Sequence, residues 1–434
     1  MTPMKETLRR LILATIEDLS LERVMGEQVR CEDGVLTFAD QRIELEPYKK
    51  IITVAIGKAA FQMAETFAAI VQPRIASGVA VSSQTPPALP YFVRYQGGHP
   101  YPDANSVQAA SVALETLTGL RPQYLVVYLL SGGGSAICEK PISEEISLDD
   151  LREFYRILVT CGADIVQMNV LRKHFSAIKG GRLAQQAFPA KQVTLYVSDV
   201  PPEHPSTVAS GPTMPDESTV DDAIRIAEEL GIVDSLPATI RSFFHDRRIP
   251  ETPKPGDEAF GDSSWHCLLD NGDGVQRLEK QARGQGWVVE TDLSVDDWPL
   301  ESAVDHLLAK LRQLRVENPG RTVALLTGGE LSCPVIGDGQ GGRNQAFVLN
   351  CVEKIAGDNI VVVSAGTDGI DGNSPATGAV ADGMTLQRAQ SSGLDRGAFE
   401  RRSDSYHFFK SLQDDLTTGP TGNNIRDLRL LVAW

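Results

Sequence analysis

The sequence predicts an α/β protein of two domains, each a mostly parallel sheet flanked by helices, with the active site in the cleft between them. Three observations carry that prediction. Tyr124-Leu-Val-Val-Tyr-Leu-Leu130 is apolar throughout and lacks period-2 alternation, the pattern of a strand buried on both faces. It ends in Ser131-Gly-Gly-Gly-Ser135, and the same construction recurs: Ile51–Ile56 runs into Gly57-Lys58, Val323–Leu326 into Thr327-Gly-Gly-Glu330, and Ile360–Val363 into Ser364-Ala-Gly-Thr-Asp-Gly-Ile-Asp-Gly372. Finally, 434 residues exceed one ordinary core, and the prolines and charges between Pro237 and Asp262 have linker composition. Domains at 1–245 and 262–434 follow.

In chain order, Met4, Leu8, Leu11, Ile12, Thr15, Ile16 and Leu19 fall at helical spacing, an amphipathic helix that packs its stripe on the sheet. Arg30–Phe38 and Gln41–Leu45 alternate around turn residues as a hairpin. The first buried strand meets the helix Ala59–Ile70 at Gly57-Lys58. An ammonium there shares the junction with helix N-terminal amides, an arrangement suited to phosphate or carboxylate. Strand Gly78–Val81 leads to the loop Gly97-Gly-His-Pro-Tyr-Pro-Asp103, in which His99 is more simply a brace than a ligand. Helix Asn105–Leu117 then returns to the central strand, whose Gly132, Gly133 and Gly134 can bring backbone amides close to an anion. A tight turn without a ligand explains one such loop equally well, but several converging strand ends point to a common cleft.

After a helical stretch from Leu148 to Gly162, Asn169–Arg182 holds Arg172, Lys173, His174, Lys179 and Arg182, a basic concentration in an acidic chain. Helical spacing places Arg172, Ser176 and Lys179 near one face, either as an anion site or as a solvated basic face. Strand Val193–Ser198 ends in Asp199, a candidate for Mg²⁺ or for a general base, and Ala209-Ser-Gly-Pro-Thr213 follows in a loop. In the second domain, Arg343 stands after Gly341-Gly342, where it can reach phosphate bidentately. Asp368 and Asp371 sit among glycines at a strand end. They read either as a metal pair or as Asx-turns and caps. Leu428–Trp434 is the last strand.

A net charge of -16 argues against nucleic acid or an anionic membrane as partner. Six scattered cysteines without C-x-x-C spacing indicate neither zinc nor a disulfide framework. The N-terminus lacks an apolar signal region and no run is long enough to span a membrane, so a cytoplasmic location is expected.

Taken in order, Gly57-Lys58, Gly98-His-Pro-Tyr-Pro-Asp103, Ser131-Gly-Gly-Gly-Ser135, Asn169 with Arg172-Lys-His174, Lys179-Gly-Gly181, Ser198-Asp-Val200, Ala209-Ser-Gly-Pro-Thr213, Gly328-Gly-Glu330, Gly341-Gly-Arg-Asn-Gln345, the Ser364–Gly372 run and Thr418-Gly-Pro-Thr-Gly422 resemble the MOFRL-type glycerate 2-kinases. Older annotation often names that family hydroxypyruvate reductase. The resemblance spans nearly the whole chain. It implies phosphorylation of D-glycerate at its 2-hydroxyl, dependent on ATP and Mg²⁺, by a small-molecule enzyme compatible with a homodimer. The family's proposed catalytic lysine and arginine match Lys58 and Arg343, with Asp199 beside them. Gly132, Gly133, Gly134, Ser135, Asn169, Arg172, Lys179, Ser210, Gly211, Thr213, Glu330 and Asn344 are then the expected substrate- and nucleotide-binding residues, and Asp368 and Asp371 the metal ligands. Two departures stand out: Pro202-Glu203 replaces a usual Gly-Asp, and Asn423 stands where Thr is common. Two other readings stay open, a nicotinamide-dependent hydroxypyruvate reductase and a non-catalytic sugar-acid sensor. No G-x-G-x-x-G opens a helix with an acidic residue at the distance the first would require.

Overall fold

The Tyr124–Leu130 run becomes a strand whose residues from Leu125 onward are fully buried, which requires cover on both faces of its sheet. The computed structural model describes residues 2–72, 75–200 and 204–434, so Pro202-Glu203 lies outside the described residues. The chain divides into two compact units, one of residues 21–268 and one joining the segment up to Ser20 to residues 269–434. The strands are β1 (Val29–Glu32), β2 (Val35–Phe38), β3 (Gln41–Glu44), β4 (Lys50–Ile56), β5 (Ile75–Ser82), β6 (Phe92–Gln96), β7 (Tyr124–Leu130), β8 (Lys191–Val197), β9 (Ser263–Leu269), β10 (Val288–Thr291), β11 (Val323–Gly329), β12 (Ile360–Gly366), β13 (Gly378–Asp382), β14 (Asp415–Leu416) and β15 (Asp427–Ala433).

In the 21–268 unit the sheet order is β6-β5-β4-β7-β8-β9, with every pairing from β6 through β8 parallel. Helices Ala104–Leu117 and Arg182–Ala187 pack on Val54, Ile56, Val126, Tyr128 and Leu130. Leu125, Val127 and Leu129 alternate with these and are buried too, on the side served by helix Ala60–Val71. From β4 the chain runs outward to β5 and β6 in one direction, then returns to β7 and β8 in the other. The crevice beyond the carboxyl ends of β4 and β7 is therefore the topological switch point where open α/β sheets bind ligands. Beside the sheet, Phe154, Phe175, Phe243 and Phe244 centre a helical cluster, and β1–β3 form a small antiparallel sheet, the expected hairpin plus one strand.

The break expected between 245 and 262 falls instead at 268/269. The proline-rich segment is tied into the first unit: Thr252 Oγ1 donates to Asp216 Oδ2 (2.9 Å), Asp216 N to Pro253 O (3.0 Å) and Gln192 N to Asp262 O (3.0 Å), and β9 then closes the sheet. The first helix, Pro3–Asp18, also departs from expectation, packing on β12 and β13 of the other unit. Lys5 is the reason, since its ammonium is buried against Asp414 Oδ2 (2.5 Å) and Thr385 Oγ1 (3.2 Å).

In that unit the order is β10-β11-β15-β12-β13-β14, and only β10–β11 is parallel among its registered pairs. This corrects the expectation of a second mostly parallel sheet. The last strand inserts antiparallel between β11 and β12, and its complete burial makes its apolar run look the same whichever way it points. Helices Leu300–Glu317 and Arg343–Lys354 supply the larger core on one face. Among the described residues no helix is long and apolar enough to cross a membrane, and all six cysteines are free thiols.

Candidate active site

Lys58 follows β4 at the switch point, on a backbone held from three sides. Its N–H donates to Gly132 O (2.9 Å), its carbonyl accepts from Ser82 Oγ (2.9 Å), and Ala59 N donates to Ser131 Oγ (3.0 Å). Gly57 is required here, because it takes φ +126° and a methyl on it would lie 2.3 Å from Ser131 O. The Lys58 side chain runs over Gly133, and among the described residues no carboxylate forms an ion pair with its ammonium. His99 also borders Gly133; burial, and then the Lys58 charge, hold its imidazole below the usual histidine range. The sequence reading treats His99 as a brace, whereas the structure sets it beside the candidate catalytic lysine.

Asp199 closes the same loop from above Gly132. A methyl at Gly132 would sit 1.9 Å from Asp199 Oδ2, so the missing side chain is what lets the carboxylate approach. Gly132→Ala is expected to displace Asp199 and lower turnover by about 10²-fold, the cost of a roughly 1 Å misplacement, while a melting curve shows little change. Turnover equal to wild type would show that the Asp199 position is immaterial.

Ser135, Asn169 and Ser210 are joined, with Ser135 Oγ 2.7 Å from Ser210 Oγ, which donates to Asn169 Oδ1 (2.8 Å). Ala209, Ser210 and Gly211 take consecutive left-handed conformations (φ 51°, 58° and 60°), strain of the kind that functional loops hold. Thr213 is buried, its Oγ1 accepting from Thr194 Oγ1 (2.9 Å).

The basic concentration separates into one available cation and four that are satisfied internally. Lys179 is fully buried on Glu139, which also accepts from Tyr155 Oη (2.5 Å) and Ser176 Oγ (2.6 Å). Burial pulls the Lys179 ammonium down and Glu139 opposes it, so Lys179 is a structural ion-pair member, not the anion ligand expected. Lys173 pairs with Asp216 (3.1 Å), Arg182 donates to main-chain carbonyls including Lys173 O (3.0 Å), and His174 lies between Val170 O and Glu251. Arg172 differs. It stacks 4.7 Å over the Tyr155 ring, its buried Nε has no hydrogen-bond partner among the described residues, and the Tyr155 hydroxyl that donates to Glu139 also lies 2.8 Å from Ser135 O.

In the other unit, Arg343 opens its helix after Gly342. Its Nε donates to Asp427 Oδ2 (2.6 Å) and its Nη2 to Glu330 Oε1 (2.7 Å), which leaves Nη1 without a partner among the described residues on a side chain about one-third exposed. The carboxylates of Asp427, Glu330 and Asp371 outweigh burial and hold the guanidinium firmly charged. Asp427 also accepts from Asn344 Nδ2 (2.8 Å) and from the fully buried Arg429 (2.8 Å). Asn344 Oδ1 accepts from Ser364 Oγ (2.5 Å).

Asp371 and Asp368 do not form a shared cation cradle. Asp371 is buried and caps the helix across the chain, its oxygens accepting from Asn344 N (3.0 Å), Asn344 Nδ2 (3.3 Å) and Gln345 N (2.8 Å). Asp368 Oδ1 accepts from Ile370 N (3.1 Å), an Asx-turn. Among the described residues no group of three or more His, Cys, Asp or Glu side chains is arranged to hold a metal. Burial pushes the Asp371 carboxyl up to about 7. The folded state therefore keeps a proton that the unfolded chain has already lost, and this contribution to stability disappears as pH rises from about 4 to about 7. Across that window the melting temperature of wild type is expected to fall relative to Asp371→Asn. A difference that does not change with pH would show that Asp371 is ionised throughout.

Glu139, Tyr155, Asp427 and Arg429 are absent from the sequence reading. Asp427 and Arg429 did leave a signal, as charges inside an otherwise apolar last strand. Glu139 left none, since its partner lies 40 residues away.

Strand ends lined with glycine and single cations, one at a switch point and one at a helix start, define an α/β protein that handles small anionic substrates. Two family models match, a domain of unknown function termed DUF4147 over residues 7–245 and the MOFRL family over residues 323–427. D-glycerate 2-kinase of Thermotoga maritima is 34% identical over 384 residues, covering 87% of this chain and 89% of that protein. A protein of Agrobacterium vitis with the provisional name hydroxypyruvate reductase is 34% identical over 447 residues, 96% of each chain. The crystal structure of glycerate kinase from Thermotoga maritima superposes with a TM-score of 0.86 at 30% identity over 99% of both chains. The chain belongs to the MOFRL-type glycerate 2-kinase family.

Proposed function

We propose that this protein transfers the γ-phosphoryl group of ATP to the 2-hydroxyl of D-glycerate. The observation that carries the reading is the Lys58 ammonium, which has no ion-pair partner among the described residues and is fixed at the switch point beside Gly132, Gly133 and Gly134. The glycerate oxygen forms its bond to the γ-phosphorus, the bond to the bridging oxygen of ADP breaks, and the hydroxyl proton passes to solvent water. Because the transition state is loose, the protein contributes mainly position and positive charge. Lys58 neutralises the moving phosphoryl group. Arg172, with its unpartnered Nε and its platform on Tyr155, holds the glycerate carboxylate. Arg343 offers Nη1 to phosphate while Asp427 and Glu330 keep its plane fixed.

Mg²⁺ is a poor fit for Asp371, whose oxygens already face three N–H donors. Asp199, half-buried above Gly132, is the carboxylate that fits, and a bound Mg²⁺ there would screen charge on the phosphates. The net charge of -16 and the small-molecule site support a cytoplasmic enzyme without a nucleic-acid partner.

A coupled ADP-release assay over a panel of hydroxy acids tests the reading, run beside absorbance at the nicotinamide band with hydroxypyruvate. ADP release that requires D-glycerate supports the kinase. Nicotinamide oxidation without ADP release would replace it with the reductase that some relatives are named for.

A further inference from the structure

A cavity of about 660 Å³ opens in the 269–434 unit, with Arg343 and the backbone of Gly341 and Gly342 in its wall. The Gly341-Gly-Arg motif forms one side of it, and most of the rest of the wall comes from residues that no motif marks. Leu300, Leu331, Pro334, Ala346 and Leu349 make it largely apolar, and its volume is that of a pocket for a drug-sized molecule. At its rim Val335 and Ile336 are 79% and 71% exposed, adjacent aliphatic side chains that a flat ring would cover.

The polar groups select the kind of ring. Arg343 is the one cationic side chain in the wall among the described residues, against the carboxylates of Glu301, Glu400 and Asp404. Asp404 is already paired with Arg402 and His407 and Glu400 with Arg396, so Glu301 and the remaining lone pairs of Glu400 are the acceptors left for a neutral molecule carrying amines or hydroxyls. Asn350 adds to this. Its Nδ2 donates to Glu400 Oε1 (3.2 Å), which sets the amide orientation, and its Oδ1 is shielded from water without a partner among the described residues. A turn of that amide toward the cavity pairs Oδ1 with a ring amine.

We propose that this cavity binds the purine nucleoside of the phosphoryl donor, with the base against Val335, Ile336 and Ala346 and the phosphates directed to Arg343. The assignment rests on the kinase reading above. It divides the donor by charge, the neutral nucleoside on the acceptor-rich apolar wall and the anionic phosphates at the guanidinium.

Inhibition kinetics on the full chain test it, with adenosine as a probe of the nucleoside and inorganic tripolyphosphate as a probe of the phosphates. In wild type, adenosine is expected to compete with ATP and not with D-glycerate. Val335→Asp, on an exposed rim residue, and Ala346→Phe, which fills the cavity, should each raise the KM for ATP and the inhibition constant of adenosine at least 10-fold. Inhibition by tripolyphosphate and the KM for D-glycerate should stay within 2-fold. Adenosine that does not compete with ATP, or that inhibits both variants as strongly as wild type, overturns the assignment even if D-glycerate-dependent ADP release is intact. Absence of that release in wild type overturns the kinase reading and this assignment with it.

Discussion

Lys58→Ala is expected to lower kcat about 10³-fold while the melting curve stays within roughly 2 °C of wild type. The two halves of that expectation have separate causes. The Lys58 backbone, not its side chain, makes the local hydrogen bonds, to Gly132 O and from Ser82 Oγ, so truncation leaves them in place. No buried carboxylate loses a partner either, because none among the described residues is paired with this ammonium. The lost charge acts on the phosphoryl group in flight, where a preorganised cation is stronger than in water. A further readout does not depend on turnover. With the Lys58 charge gone, the His99 imidazole should rise toward its ordinary range, visible as a titration shift by NMR. Wild-type kcat with an unchanged melting curve would remove Lys58 from the reaction.

The largest expected effect on stability comes from Glu139→Ala, a loss of about 3–5 kcal/mol. Lys179 is fully buried on this carboxylate, and Tyr155 and Ser176 donate to its two oxygens. Removing it strands the Lys179 ammonium and the Ser176 hydroxyl proton in a region water does not reach, while Tyr155 keeps Ser135 O as an acceptor. For a unit of this size the melting temperature should fall by roughly 10 °C. Glu139→Ala combined with Lys179→Met should recover much of that loss, because the stranded charge, more than the missing pair, carries the cost. Since Tyr155 is also the platform for Arg172, the single variant should raise the KM for D-glycerate beyond what its lowered stability explains. A fall of less than about 2 °C would mean that Lys179 finds another partner or sheds its proton at little cost.

The same pair shows why the basic segment misleads when read as sequence. Arg172, Lys173, His174, Lys179 and Arg182 look alike in composition, and nothing local tells which of them a buried acid will neutralise. Glu139, Asp216 and Glu251 are brought to Lys179, Lys173 and His174 from 40, 43 and 77 residues away. Only Arg172 is left over, and its availability depends on that long-range pairing.

The sequence by itself determined where strands are buried and where they end. An apolar run of strand length without alternation, rich in Val and Leu and closed by glycines, reads as a strand covered on both faces, and a glycine forced by close approach, as at Gly57 or Gly132, must be written locally because no neighbour can supply the missing Cβ. The placing of Lys58 just past such an end was legible for that reason, and Arg343 was marked by the glycines that precede its helix. Tertiary structure alone decided the direction of β15, the attachment of helix Pro3–Asp18 through Lys5 and Asp414, and the use of Asp371 as a cap rather than as half of a metal pair. Each of these depends on which distant group occupies a buried position. Local pattern records that a residue is buried or bent, whereas the partner that makes a buried charge tolerable is chosen by packing across the fold.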